Sequence, residues 1–164
     1  MISCGWTVFV VSEDRVVSCL ESFAKILADP KGYDPERLKG LSQSAPDPVS
    51  SFILATLSSD EAAMQCKFQE LADHVSCLGS FSAWFNLALL ARSLFFHQAA
   101  IEYYERALHL AEVQYDKKRA SLALSGLGKL YAEVEDWERS AGCYKRAHQC
   151  LIEAGQPSEA LTVL

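Results

Sequence analysis

The 164-residue chain has no basic surplus, no paired cysteine motif and no long apolar run, and each absence removes a class of function. Its formal net charge is −6, whereas a nucleic-acid surface needs a stripe of Lys and Arg for phosphates. No nucleic-acid partner is therefore expected. The acidic surplus is uneven, with six basic against eleven acidic residues in 1–80 and nine against ten in 81–164. Apolar stretches such as Trp6–Val11 fall far short of the roughly 20 residues of a membrane span. That stretch also lacks a basic flank and a small-residue cleavage site, so neither a span nor a signal peptide is expected. The six cysteines, Cys4, Cys19, Cys66, Cys77, Cys143 and Cys150, form no C-x-x-C pair. They read as reduced, buried thiols acting as small hydrophobes, which points to the cytoplasm, with the nucleus as the alternative. Half the residues are apolar, enough for one core and too many for a disordered chain.

What is present is helical spacing. Ser12 is a candidate cap, Glu13 and Asp14 suit a helix start, and Val16, Val17, Leu20, Phe23, Ala24 and Leu27 form one stripe, ended by Asp29-Pro30. Asp34-Pro35 predicts a short helix through Leu41, followed by a linker from Ser42 to Pro46. Asp47-Pro48 predicts another start before Phe52. A longer helix from about Ser59 to Leu78 then turns Ala63, Cys66, Leu71, Val75 and Leu78 inward and stops at Gly79. Residues 1–11 have strand propensity but no second strand to pair with, so an apolar arm or the first part of a helix fits equally well.

From residue 81 the chain repeats itself. Leu87 recurs as Leu127, Tyr104 as Tyr144, Arg106 as Arg146 and Ala107 as Ala147, always at an offset of forty positions. The intervening apolar residues have helical spacing, so a helix pair occurs twice and must stack to bury a face. The predicted helices are about 81–95 and 98–114 in one copy, and 118–134 and 137–154 in the next. Gly155-Gln156-Pro157 breaks the chain, and Ser158 onward is expected to begin a third copy whose apolar face favours self-association. The same offset taken upstream from Leu87 and Tyr104 falls on Asp47 and Met64, so the register is not kept there. The expected division is a helical N-terminal cap over 1–80 and repeats over 81–120, 121–157 and a partial 158–164.

Trp84, Leu87, Ala100, Tyr104 and Ala107 in the first copy, and Leu127, Gly128, Tyr131, Tyr144 and Ala147 in the second, resemble the tetratricopeptide repeat. Each copy holds signature positions that the other lacks. The 40-residue step is similar to the long-repeat subtype of kinesin light chains and G-protein-signalling modulators. The resemblance implies an all-α fold, a right-handed α-α superhelix behind the helical N-terminal cap. It also implies a non-catalytic scaffold or adaptor that holds a peptide or partner protein on the concave surface lined by the first helix of each copy. Carried over residue by residue, that surface is Ser82, Phe85, Asn86, Leu89 and Arg92, then Leu122, Ser125, Lys129 and Glu133. Arg92 and Lys129 favour an acidic ligand, and Asn86 offers an amide to an extended backbone. The other reading is an obligate subunit that packs through its open repeat end or its cap. The clamp of basic residues and asparagine used by the chaperone-binding branch is not matched.

No phosphate loop or dinucleotide glycine pattern appears, because Gly126 and Gly128 lie inside a helix with no preceding strand. His97, His109 and His148 have no carboxylate or thiol at ligand spacing, so neither metal nor cofactor is expected. Lys117-Lys118-Arg119 reads as a solvated turn between repeats.

Overall fold

A computed structural model describes residues 12–27, 34–58, 60–156 and 159, and among these it contains eight α-helices and no strand. They are α1 (Glu13–Leu27), α2 (Pro35–Ser44), α3 (Val49–Ser58), α4 (Glu61–Leu78), α5 (Phe81–Ser93), α6 (His97–Val113), α7 (Lys117–Glu133) and α8 (Trp137–Glu153). The fold is the all-α helical repeat that the spacing predicts. Residues 1–11 and most of the expected third copy lie outside the described residues.

The starts are chemically specified. Asp34, Asp60, Ser80, Asp116 and Asp136 each accept a hydrogen bond from a backbone N–H in the first turn that follows. Asp47 works differently, accepting from the Ser50 and Ser51 hydroxyls. The expected linker from Ser42 is largely helix instead. Ser42 and Ser44 return their hydroxyls to the Lys39 and Leu41 carbonyls, which keeps α2 running to Ser44. The basic run 117–119 is also helix, the first turn of α7, where Lys117 pairs with Glu153 at 2.8 Å and Arg119 with Asp116 at 3.4 Å.

The four last described helices end alike. Phe95, Tyr115, Glu135 and Gly155 all have positive φ, between 55° and 73°, and follow one another at a regular spacing of twenty positions. After each, the next N–H returns to a carbonyl five residues back, at Ala91, Ala111, Tyr131 and Leu151, over 2.8–2.9 Å. This is the Schellman closure, in which a left-handed residue lets the last carbonyls find donors. It gives the α5–α6, α6–α7 and α7–α8 connections the same three-residue turn.

α5 pairs with α6 and α7 with α8, and α6 packs on α7. α5 has 13 residues against 17 in α7, because α4 runs to Leu78 and Gly79 closes it in a left-handed conformation. α1 packs on α5, while α2, α3 and α4 pack in succession. An aromatic row runs from α1 through α3 and α4 to α6 and α5 without a break. Phe23 meets Phe52 at 5.7 Å, Phe52 meets Phe68 at 5.2 Å, Phe68 meets Tyr103 at 5.9 Å and Tyr103 meets Trp84 at 5.4 Å. Burial of each large side chain stabilises by roughly 1.5–3 kcal/mol, so this row fastens α4 to α6.

The repeat step does reach upstream, carried by residues other than the signature ones. Gln65, Phe68, Ala99 and Tyr103 line a groove between α4 and α6. Glu105, Leu108, Arg139 and Cys143, their counterparts one repeat later, line the corresponding groove between α6 and α8. Phe68 thus takes the place of Leu108, which the comparison with Asp47 and Met64 does not reveal.

The cysteine expectation needs correction. Cys66 and Cys77 are exposed, Cys19, Cys143 and Cys150 are half-buried, and all five are free thiols. Cys66 sits on the solvent side of α4, whose buried positions are Phe68, Leu71, Ala72 and Val75. Burial raises the pKa of Cys19, Cys143 and Cys150, which disfavours their thiolates.

Candidate functional site

The candidate face is built from the first helix of each hairpin. On α5, Ala83, Trp84, Leu87, Ala88, Leu90 and Ala91 turn into the core, which leaves Ser82, Phe85, Leu89 and Arg92 half-exposed on the remaining side. On α7 the core takes Ala120, Ala123, Leu124, Gly126, Leu127, Gly128 and Leu130. Ser125 is half-exposed, while Leu122, Lys129 and Glu133 are exposed. The two helices touch each other.

Close approach here depends on glycine. A Cβ on Gly126 would stand 2.5 Å from Tyr104 Cε1, so only glycine lets α7 lie against the α6 aromatic. A Cβ on Gly128 would meet the Tyr144 ring at 3.0 Å. The Ser140 hydroxyl donates to the Gly128 carbonyl at 2.8 Å and ties α8 to α7 where the first copy has Ala100. The two glycines, which belong to no phosphate motif, are thus the seats of two equivalent tyrosines.

A cavity of about 400 Å³ opens on α5 and is lined by Phe85, Asn86, Leu89, Arg92 and Ser93. Its other wall is α1, through Glu21, Ala24 and Lys25. The α1 stripe is visible in the sequence, but nothing in the stripe marks which helix it covers, so this wall emerges only from the structure. Asn86 is only 8 % exposed and its amide nitrogen donates to the Ser82 carbonyl at 2.9 Å within the same helix. Phe85 stacks on Phe81 at 5.5 Å and stands edge-on to Tyr104 at 5.6 Å.

Charge on this face is mostly paired internally. Lys25 pairs with Glu21 at 2.6 Å, and Arg92 Nε lies 3.5 Å from Glu133 Oε1, bridging α5 to α7. Lys129 is exposed and makes no ion pair among the described residues. Tyr104, behind Arg92, has no exposed surface, and burial pushes its phenol up to about 12 against the opposing pull of the Arg92 cation.

A larger cleft of about 610 Å³ lies on the α6 side, lined by Ser76, Trp84, Glu102, Arg106 and His109. Its floor is closed, since the Arg106 guanidinium covers the Trp84 ring at 4.7 Å and Trp84 is 5 % exposed. Among the described residues no three His, Cys, Asp or Glu side chains gather as metal ligands, and no helix is long and apolar enough to cross a membrane.

The repeat geometry has an independent counterpart. Residues 79–153 match the tetratricopeptide repeat family model. The match spans α5 to α8 and supports placing these hairpins in the tetratricopeptide repeat superfamily, whose repeats generally mediate protein–protein interaction. Comparison with curated proteins and with solved structures gives no significant match. In tetratricopeptide terms α5 and α7 are the A helices, α6 and α8 the B helices, and α1 lies on the first A helix.

Proposed function

We propose that the chain is a non-catalytic adaptor that holds a peptide or partner protein on the face formed by α5 and α7. Phe85, Asn86, Leu89 and Arg92 of the first repeat, with Ser125, Lys129 and Glu133 of the second, form the contact surface. The observation that carries this reading is the half-open cavity on the first A helix, floored by Phe85 and Leu89, within repeats of a protein-binding superfamily. Such a site buries an apolar anchor and surrounds it with polar groups. Asn86 contributes as part of the wall, since its amide nitrogen is engaged within α5. Lys129, without an ion pair among the described residues, and the loosely paired Arg92 favour an acidic partner. The same turn recurs at Phe95, Tyr115, Glu135 and Gly155, so that one hairpin fills each 40-residue step, and this regularity supports the long-repeat subtype. The free thiols accord with a cytoplasmic or nuclear setting.

The outer face of α8 supports a second reading, assembly through the last repeat. Tyr104 is wholly buried beneath α7, whereas its equivalent Tyr144 is half-exposed beside Trp137, which is 67 % exposed. Sedimentation over a concentration series separates the two readings. A partner face here gives mass that rises with concentration and returns to monomer in Trp137→Glu.

Leu122→Asp with Lys129→Glu tests the main reading, because both side chains are exposed and their loss leaves the core intact. Capture of the partner is expected to fall roughly tenfold, the scale of one interface anchor. Leu54→Asp, at an exposed position on α3, is expected to leave capture unchanged. Equal loss from both variants, or none from either, would rule out the α5–α7 face.

A further inference from the structure

The turns after α5 and α7 leave the stack at one edge, because Arg92 in the last turn of α5 and Glu133 in the last turn of α7 lie 3.5 Å apart. This edge carries large apolar side chains in water. Phe95 is 79 % exposed, Trp137, the first residue of α8, is 67 % exposed, and Val134 is exposed as well. Phe95 stands in a left-handed conformation, φ 61°, where the equivalent Gly155 meets the same backbone demand with nothing apolar in water. Its ring neighbour is His97, edge-on at 6.1 Å.

The chain shows what it places on surface rings elsewhere. Arg106 covers Trp84 at 4.7 Å, Arg119 covers Phe81 at 5.5 Å and Arg139 covers Tyr131 at 5.7 Å. Among the described residues no cation covers Phe95 or Trp137, and Lys145 lines a cavity beside Trp137 without lying over its ring. Charge around these two rings is negative. Residues 92–98 and 133–139 hold four carboxylates, Glu133, Glu135, Asp136 and Glu138, against two guanidiniums, Arg92 and Arg139. Both guanidiniums are taken, by Glu133 and, at 3.3 Å, by Asp136. Glu135 and Glu138 are exposed and make no ion pair among the described residues. Tyr115 is also exposed and uncovered, but it stands beside Lys117, Lys118 and Arg119 and lacks this surplus.

We propose that this edge binds a basic segment of a partner protein, whose Arg or Lys side chains lie over Phe95 and Trp137 with their charged heads toward Glu135 and Glu138. The ring face attracts the cation, the apolar stem covers the ring, and the two free carboxylates favour the same sign. An acidic or a neutral segment would leave those carboxylates unpaired. The edge adjoins the α5–α7 face but takes ligands of the opposite charge, and the inference does not depend on that face binding anything.

The test follows the indole ¹H–¹⁵N resonance of Trp137 in the full chain, assigned by its loss in Trp137→Leu. The probe is acetyl-Arg-Gly-Arg-Gly-Arg-amide, and the control replaces each Arg with citrulline, which keeps the shape and removes the charge. Trp137 is expected to shift saturably with the probe and not with the control, while the Trp84 indole, already under Arg106, stays in place. Phe95→Gly relieves the left-handed turn and keeps the fold. It is expected to raise the half-saturating concentration about two- to fivefold, the scale of one exposed cation–π contact. Glu135→Gln with Glu138→Gln is expected to raise it about three- to tenfold, the scale of two exposed ion pairs. An equal response to the citrulline control, or half-saturation unaltered in either variant, would overturn the inference. So would a Trp137 resonance that shifts with protein concentration alone while sedimentation shows a dimer, since the edge would then belong to a second copy.

Discussion

Gly126 and Gly142 occupy the interiors of neighbouring helices, yet substitution is expected to act in opposite directions. Ala in place of Gly gains about 0.5–1 kcal/mol of helix preference. At Gly142 nothing stands within 4 Å of the new Cβ, so Gly142→Ala should stabilise by about that amount. At Gly126 the new atom meets the Tyr104 ring, which Phe85 and full burial hold in place. Overpacking of about 1–3 kcal/mol exceeds the gain, so Gly126→Ala should destabilise, and urea denaturation of both variants checks the signs. Tyr104 adds a pH dependence. Its phenol titrates near 10 when unfolded and about 12 when folded, so the folded state prefers the neutral form. That preference is fully present below about pH 10 and is lost as pH rises through about 12. The urea midpoint should therefore fall between those values, and fall less in Tyr104→Phe.

At the scale of elements, the four equivalent turns place three non-glycine residues in left-handed conformation. Such a residue costs roughly 1–2 kcal/mol relative to the right-handed region. Part of that is recovered when glycine replaces it, the remainder being offset by the freer unfolded chain. Glu135→Gly is expected to stabilise by about 0.5–1 kcal/mol, measurable as a raised urea midpoint; an unchanged or lowered one would mean that the Glu135 side chain holds the turn. The helices of the repeats are legible in the sequence almost to their ends, because apolar spacing and the caps Ser80, Asp116 and Asp136 act locally. The turns are not legible, since Phe95, Tyr115 and Glu135 carry no residue signature for positive φ and only Gly155 does. The Ser42–Pro46 segment is ambiguous in sequence because serine hydroxyls bond equally well to a helix carbonyl or to a turn.

At the scale of the molecule, α1 to α4 and α5 to α8 share one core, from Phe23 through Phe52 and Phe68 to Tyr103 and Trp84. No local pattern specifies such contacts between distant helices. For that reason the A-helix residues of the candidate face are legible in the sequence, while α1 as its wall, the Arg92–Glu133 bridge and the buried Tyr104 hydroxyl emerge only from packing. Among the described residues the α5–α7 face, the cleft beside Trp84 and the outer side of α8 are the surfaces to compare. The most direct measurement installs a photoactivatable side chain at Lys129, His109 or Trp137 in turn, each at an exposed position, and compares crosslinking to the captured partner. Binding on the α5–α7 face predicts a strong crosslink from position 129 and little from the other two. Crosslinking confined to position 109 or 137, with none from 129, would contradict it.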